Sequence, residues 1–83
     1  MTDEEYERLA ERTIRDLGER SIKVTPDGRV SAHDAAELVG RSYSRLKAWR
    51  VEGTGPRWFD VGGRVHYSID DLLRWIYYGE HAS

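Results

Sequence analysis

Eighty-three residues are enough for one small domain, and a domain of this size buries only about 60% of the surface its unfolded chain exposes. The sequence holds no cysteine, which excludes disulfides and thiolate metal sites. Its net charge is −2, which taken alone speaks against a nucleic-acid partner.

The distribution of charge reverses that reading. Residues 40–67 carry six cations (Arg41, Arg45, Lys47, Arg50, Arg57 and Arg64) against Glu52 and Asp60, a local net of +4. Residues 1–21 carry four arginines against seven acids, and residues 68–83 carry Arg74 against Asp70, Asp71 and Glu80. A basic centre between acidic ends is an electrostatic footprint for an anionic partner. The acidic start from Asp3 argues against a signal peptide. No apolar run approaches the ~20 residues that span a bilayer. A soluble cytoplasmic protein with no membrane partner is therefore expected.

Along residues 3–18, Tyr6, Leu9, Ala10, Thr13, Ile14 and Leu17 recur three and four apart, which predicts an amphipathic helix ending at Gly18. Its apolar stripe must pack either on its own domain or on a second copy. Thr25-Pro26-Asp27-Gly28 suits a type I turn, with short strands on either side at 22–24 and 29–30. Ser31 to Asp34 is an S-x-x-D capping box that starts a helix closed by Gly40. Ser42 caps the next helix, 42–52, whose inward side is marked by Leu46 and Trp49. Helix, short glycine-bearing turn, helix is helix-turn-helix spacing.

Residues 57–61 and 64–67 flank Gly62-Gly63, a strong signal for a two-residue hairpin because both central positions need positive φ. A two-residue turn pairs Trp58 with Tyr67 and Asp60 with Val65 on a core face. It pairs Phe59 with His66 and Val61 with Arg64 on a partly exposed basic face. Ser68 to Asp71 repeats the capping box and opens a last helix, with Leu72, Leu73 and Ile76 inward and a stop at Gly79. The fold expected is mainly α with a small β-hairpin. It is a winged helix-turn-helix at 21–79, with an extra N-terminal amphipathic helix at 1–20 and a tail at 80–83.

A helix that reads a major groove must present donors to bases and phosphates. The helix at 42–52 offers Tyr43, Ser44, Arg45, Lys47 and Arg50 on its exposed sides. Arg45 and Tyr43 are the expected base contacts, and Lys47 and Arg50 the phosphate clamps. Ser42, Ser44 and free N–H groups at the helix start can bond phosphates. Arg57, Arg64 and His66 on the hairpin would meet the adjacent backbone or minor groove.

Residues 31–76 resemble the small winged-helix proteins of the MerR superfamily, above all the excisionase-like and prophage-regulator group. The shared positions are Ala35, Ala36, Leu38 and Gly40, then Ser42, Leu46, Trp49, Gly53, Gly55 and Pro56. Gly62, Arg64 and Tyr67 follow in the wing, and Asp71, Leu72, Trp75 and Ile76 in the last helix. The resemblance covers a little over half of the chain. It implies sequence-specific binding of double-stranded DNA by the second helix and wing, as a homodimer or cooperative oligomer. It also implies service to an integrase in DNA recombination, or transcription regulation at a phage promoter. Arg41 stands where the group has a small apolar residue and can itself reach a phosphate. The acidic N-terminal helix is not part of the pattern.

Two other roles are weighed. One is DNA recognition in phage packaging, as in small terminase subunits. The other is a protein-interaction module on the same scaffold, since fold alone does not settle function. An enzyme is not expected. His33, His66 and His81 show no metal-ligand spacing, and Asp70 and Asp71 are explained by capping. No cofactor is implied. Trp49, Trp58 and Trp75 are expected in the core, because a small domain needs their area.

Overall fold

The structure, a computed structural model, describes residues 2–79; the tail expected at 80–83, with His81, lies outside them. In chain order the elements are α1 (Asp3–Glu19), β1 (Arg29–Ser31), α2 (Ala32–Val39), α3 (Tyr43–Glu52), β2 (Phe59–Val61), β3 (Arg64–Ser68) and α4 (Ile69–Arg74). A π-helical turn, Trp75–Gly79, continues α4. The chain is mainly helical with one antiparallel sheet ordered β1-β3-β2. No helix among the described residues is long and apolar enough to cross a membrane.

Thr2 starts α1 through a full capping box. Its hydroxyl accepts from the Glu5 N–H, and the Glu5 carboxylate accepts from the Thr2 N–H, both at 3.2 Å. Donation to the Glu5 carboxylate from the Thr2 N–H, and then from the Thr2 hydroxyl at 3.1 Å, holds that carboxyl below its ordinary range. Tyr6 and Leu17 are fully buried, and Ala10 and Ile14 pack on the core between them. The surface they meet includes α4. Arg74 fixes the two helices: it donates to Asp3 and to Asp70, each at 2.9 Å, and its guanidinium lies 4.6 Å from the Tyr6 ring centre. Hydrogen bonds to Asp3 and then Asp70 raise the Arg74 pKa further. Tyr6, Ala10, Ile14 and Leu17 of the stripe are thus covered by the same chain, while Leu9 and Thr13 line its outer side.

The turn at 25–28 forms as predicted, the Gly28 N–H donating to the Thr25 carbonyl at 2.9 Å. Residues 29–31 then pair with β3, Val30 opposite Tyr67. Residues 22–24 are not a strand, contrary to expectation. The link from α1 is too short: the Ile22 N–H is committed to the Leu17 carbonyl at 2.9 Å, closing the helix. The carbonyl of Gly28 accepts from the Ile69 N–H at 2.8 Å and ties the turn to the start of α4.

The hairpin has the predicted register, with Phe59 opposite His66, Asp60 opposite Val65 and Val61 opposite Arg64. Gly62 and Gly63 both take positive φ, 60° and 84°, and the Gly63 N–H donates to the Asp60 carboxylate at 3.0 Å. The ladder begins only at Phe59, however, so Trp58 has no partner in it. Trp58 is 41% exposed rather than a core residue, and Asp60 is exposed beside it. Tyr67 is instead paired only on the other side of β3, by Val30 of β1, which is fully buried. Tyr67, Val30, Leu46, Ile69 and Leu72 make the centre of the core, with Ala35 and Ala36 of α2 against them.

Ser31 and Ser68 each end a strand and cap a helix, accepting from the N–H of Asp34 at 3.3 Å and of Asp71 at 2.9 Å. Strand and helix therefore meet with no linker, which fixes α2 and α4 against the sheet. Gly40 closes α2 at φ 70°, and Ser42 opens α3 two residues later.

After α3 the chain folds back tightly on Trp49, whose ring centre lies 5.0 Å from that of Trp75. At Gly55, φ is +79° and an added Cβ would fall 2.8 Å from the Trp49 Cβ. Gly55→Ala therefore combines a left-handed backbone with a clash against an anchored ring. The expected loss is about 1–3 kcal/mol, read by thermal unfolding. Native melting of that variant would show that the loop does not rest on Trp49.

Candidate nucleic-acid interface

Helical periodicity puts Tyr43, Lys47 and Arg50 of α3 on one stripe, since residues four and seven apart fall on the same face. That stripe lines a surface groove of about 410 Å³. The opposite walls are the start of α2, with His33, and the hairpin tip, with Gly63, Arg64 and Val65. Lys47, Arg50 and Arg64 thus share one groove, and among the described residues no carboxylate lines it. No residue of α1, which holds seven of the fifteen acids, contributes to it.

The groove is partly preorganised. The His33 ring stacks on Tyr43 at 4.1 Å with an interplanar angle of 11°, so Tyr43 is held at the mouth of the groove. The Arg50 guanidinium lies 5.7 Å from the Trp58 ring centre. Its Nη1 is buried with no hydrogen-bond partner among the described residues. A buried unpaired donor costs about 1–3 kcal/mol, so an anionic oxygen that reached it would recover that cost.

The other expected residues separate into two sets. Arg41, Ser42, Ser44 and Arg45 are exposed but do not line the groove. At ~100° per residue, Arg45 projects roughly 200° around α3 from Tyr43, on the far flank of the helix. The two residues expected to contact bases together therefore face opposite ways. The Ser42 hydroxyl accepts from the Arg45 N–H at 3.1 Å and is engaged as the helix cap. Arg41 donates to the Gly40 carbonyl at 3.3 Å. Arg57 and His66 lie on the outer face of the sheet: the Arg57 guanidinium is 4.9 Å from the Phe59 ring centre, and His66 pairs with Phe59.

Two residues at this surface are not evident from sequence. His33 follows a helix cap and reads as solvated, and nothing local announces its stack on Tyr43. Trp58 reads as core, and its exposure depends on where the ladder begins. Among the described residues no group of three or more His, Cys, Asp or Glu side chains could hold a metal ion. Asp70 is occupied by Arg74, and the Asp71 N–H by the Ser68 cap. Comparison with protein-family models, with curated proteins and with solved structures found no match to this chain.

Proposed function

We propose that residues 31–76 act as a winged helix-turn-helix that binds double-stranded DNA, with α3 in the major groove and the β2–β3 hairpin as the wing. The observation that carries this reading is the groove of Lys47, Arg50 and Arg64, which no carboxylate of the described residues lines, in a chain that is otherwise net negative. The sequence pattern of residues 31–76 narrows the role to an excisionase or small transcriptional regulator of a phage or mobile element. A homodimer or cooperative oligomer on DNA, and an integrase partner, belong to the same proposal. DNA recognition in phage packaging would use the same surface. No catalytic residues are proposed.

With α3 seated in a groove, Arg45 reaches one side and Tyr43 with Lys47 the other. The helix then spans the groove and does not read it from one edge. Arg45→Ala is expected to cost about 1–3 kcal/mol of binding and to relax sequence preference. Lys47→Ala is expected to weaken all sequences alike and to lower the salt slope by about 1. Fluorescence anisotropy with labelled duplexes across a salt series checks both. Equal loss for all sequences in Arg45→Ala would reduce Arg45 to a phosphate contact.

The exposed Trp58, Val51 and Tyr77, at 41%, 78% and 49%, support a second reading as a protein-interaction module. Salt separates the two. Retention on DNA that falls steeply with salt marks phosphate contacts. Salt-insensitive capture of a protein, with no retention on DNA, marks the module.

A further inference from the structure

The outer face of the sheet carries a second basic surface. Strand alternation places Arg29 of β1, Arg64 and His66 of β3 and Phe59 of β2 on that face. The Phe59 ring is covered by two guanidiniums, Arg29 at 4.1 Å from its centre and Arg57 at 4.9 Å. Beside them the 23–26 segment walls a groove of about 530 Å³. Lys23, Arg29, Arg64 and His66 line it over an apolar floor that includes Val24 and Pro26. Asp34 also lines it, its carboxylate accepting from the Ser31 hydroxyl at 3.1 Å, and sets one negative charge against the cations Lys23, Arg29 and Arg64. Asp27 pairs with Arg29 at 3.2 Å and offsets part of its charge, while Lys23 and Arg64 are exposed cations. The decisive placement is that of Arg64, which lines both this groove and the one on the α3 side.

We infer that this outer groove holds the phosphate backbone of a second DNA strand. The inference rests on the DNA reading above and adds Lys23 and Arg29 to the interface. A minor groove, about 6 Å wide, has a phosphate backbone along each edge, so a wing that enters it has phosphates beside both of its faces. Cations on the α3 side alone would leave one of the two strands uncompensated. Lys47 and Arg50 hold the strand on the α3 side, Lys23 and Arg29 hold the strand beyond the wing, and Arg64 lies between them. Phe59 supports this role by stacking: it keeps the Arg29 guanidinium in place before DNA arrives, so less side-chain freedom is given up on binding.

The test compares Lys23→Gln, Arg29→Gln and Lys47→Gln with the parent chain by anisotropy across salt, on one duplex. Lys23→Gln should lower the slope of log affinity against log salt by about 1, as Lys47→Gln does. Hydroxyl-radical cleavage of the bound duplex should lose protection on opposite strands of the minor groove for Lys23→Gln and Lys47→Gln. Lys23 is exposed, so loss of fold does not explain its effect, and Arg29→Gln reads the same face a second time. A parental slope in both Lys23→Gln and Arg29→Gln, with Lys47→Gln still reduced, overturns the second-strand contact and leaves DNA binding standing. No retention of the parent chain on DNA at low salt overturns both.

Discussion

Leu17→Ala should remove about 2–5 kcal/mol of stability, the range for emptying a fully buried leucine site. A chain of this length is expected to hold only about 4–12 kcal/mol in all. Leu17 is 1% exposed, and it lies in the same cluster as Val30, Leu46 and Tyr67. The variant should therefore melt far below the parent or be unfolded at ambient temperature, by circular dichroism. Deleting residues 1–20 should do the same, because it also removes Tyr6 and the Asp3 partner of Arg74. The opposite pattern, native melting with a lower mass by light scattering, would mean that α1 serves assembly and not the core.

The second large effect is expected on DNA. Reversing two charges of the α3 groove, Lys47→Glu with Arg64→Glu, replaces attraction to phosphate by repulsion on both of its walls. Even at ~1.5 kcal/mol for each charge-assisted hydrogen bond removed, the pair costs about 3 kcal/mol, roughly a hundredfold in Kd. Both residues are exposed, so the double variant should keep the parental melting temperature. Parental affinity in this variant would remove the groove from the interface.

What the sequence makes legible is the local structure. Ser31, Ser42 and Ser68 cap the helices that their patterns predict, because capping needs only a hydroxyl and an N–H two or three residues on. Gly62-Gly63 set the hairpin register in the same local way. The Thr2–Glu5 capping box is equally local, although the first helix is predicted from its apolar spacing without it.

Long-range placement is not legible. Periodicity marks the apolar stripe of α1 but cannot say that α4 packs on its Tyr6–Leu17 side. The bond that fixes the docking joins Asp3 and Arg74, 71 residues apart. Trp58 is misplaced for a related reason. A core position for it requires the β2–β3 ladder to run back to residue 58, opposite Tyr67, but that ladder stops at Phe59, and Tyr67 is paired from the other side by Val30 of a distant segment.

The candidate site divides the same way. Charge and pattern pick out the basic residues of α3 and the hairpin. Their sorting into a groove set, a far-flank set and an outer-sheet set depends on where the hairpin tip falls against α3. Helical angle alone separates Arg45 from Tyr43, since ~200° lies between them.

Amide chemical-shift mapping during titration with a short duplex at low salt tests DNA binding through the α3 groove most directly. Salt-reversible shifts are expected at residues 43–50, at the 62–66 hairpin tip and at His33, with the outward residues of α1 unmoved. Shifts confined to α1, or a spectrum unchanged at saturating DNA, would contradict it.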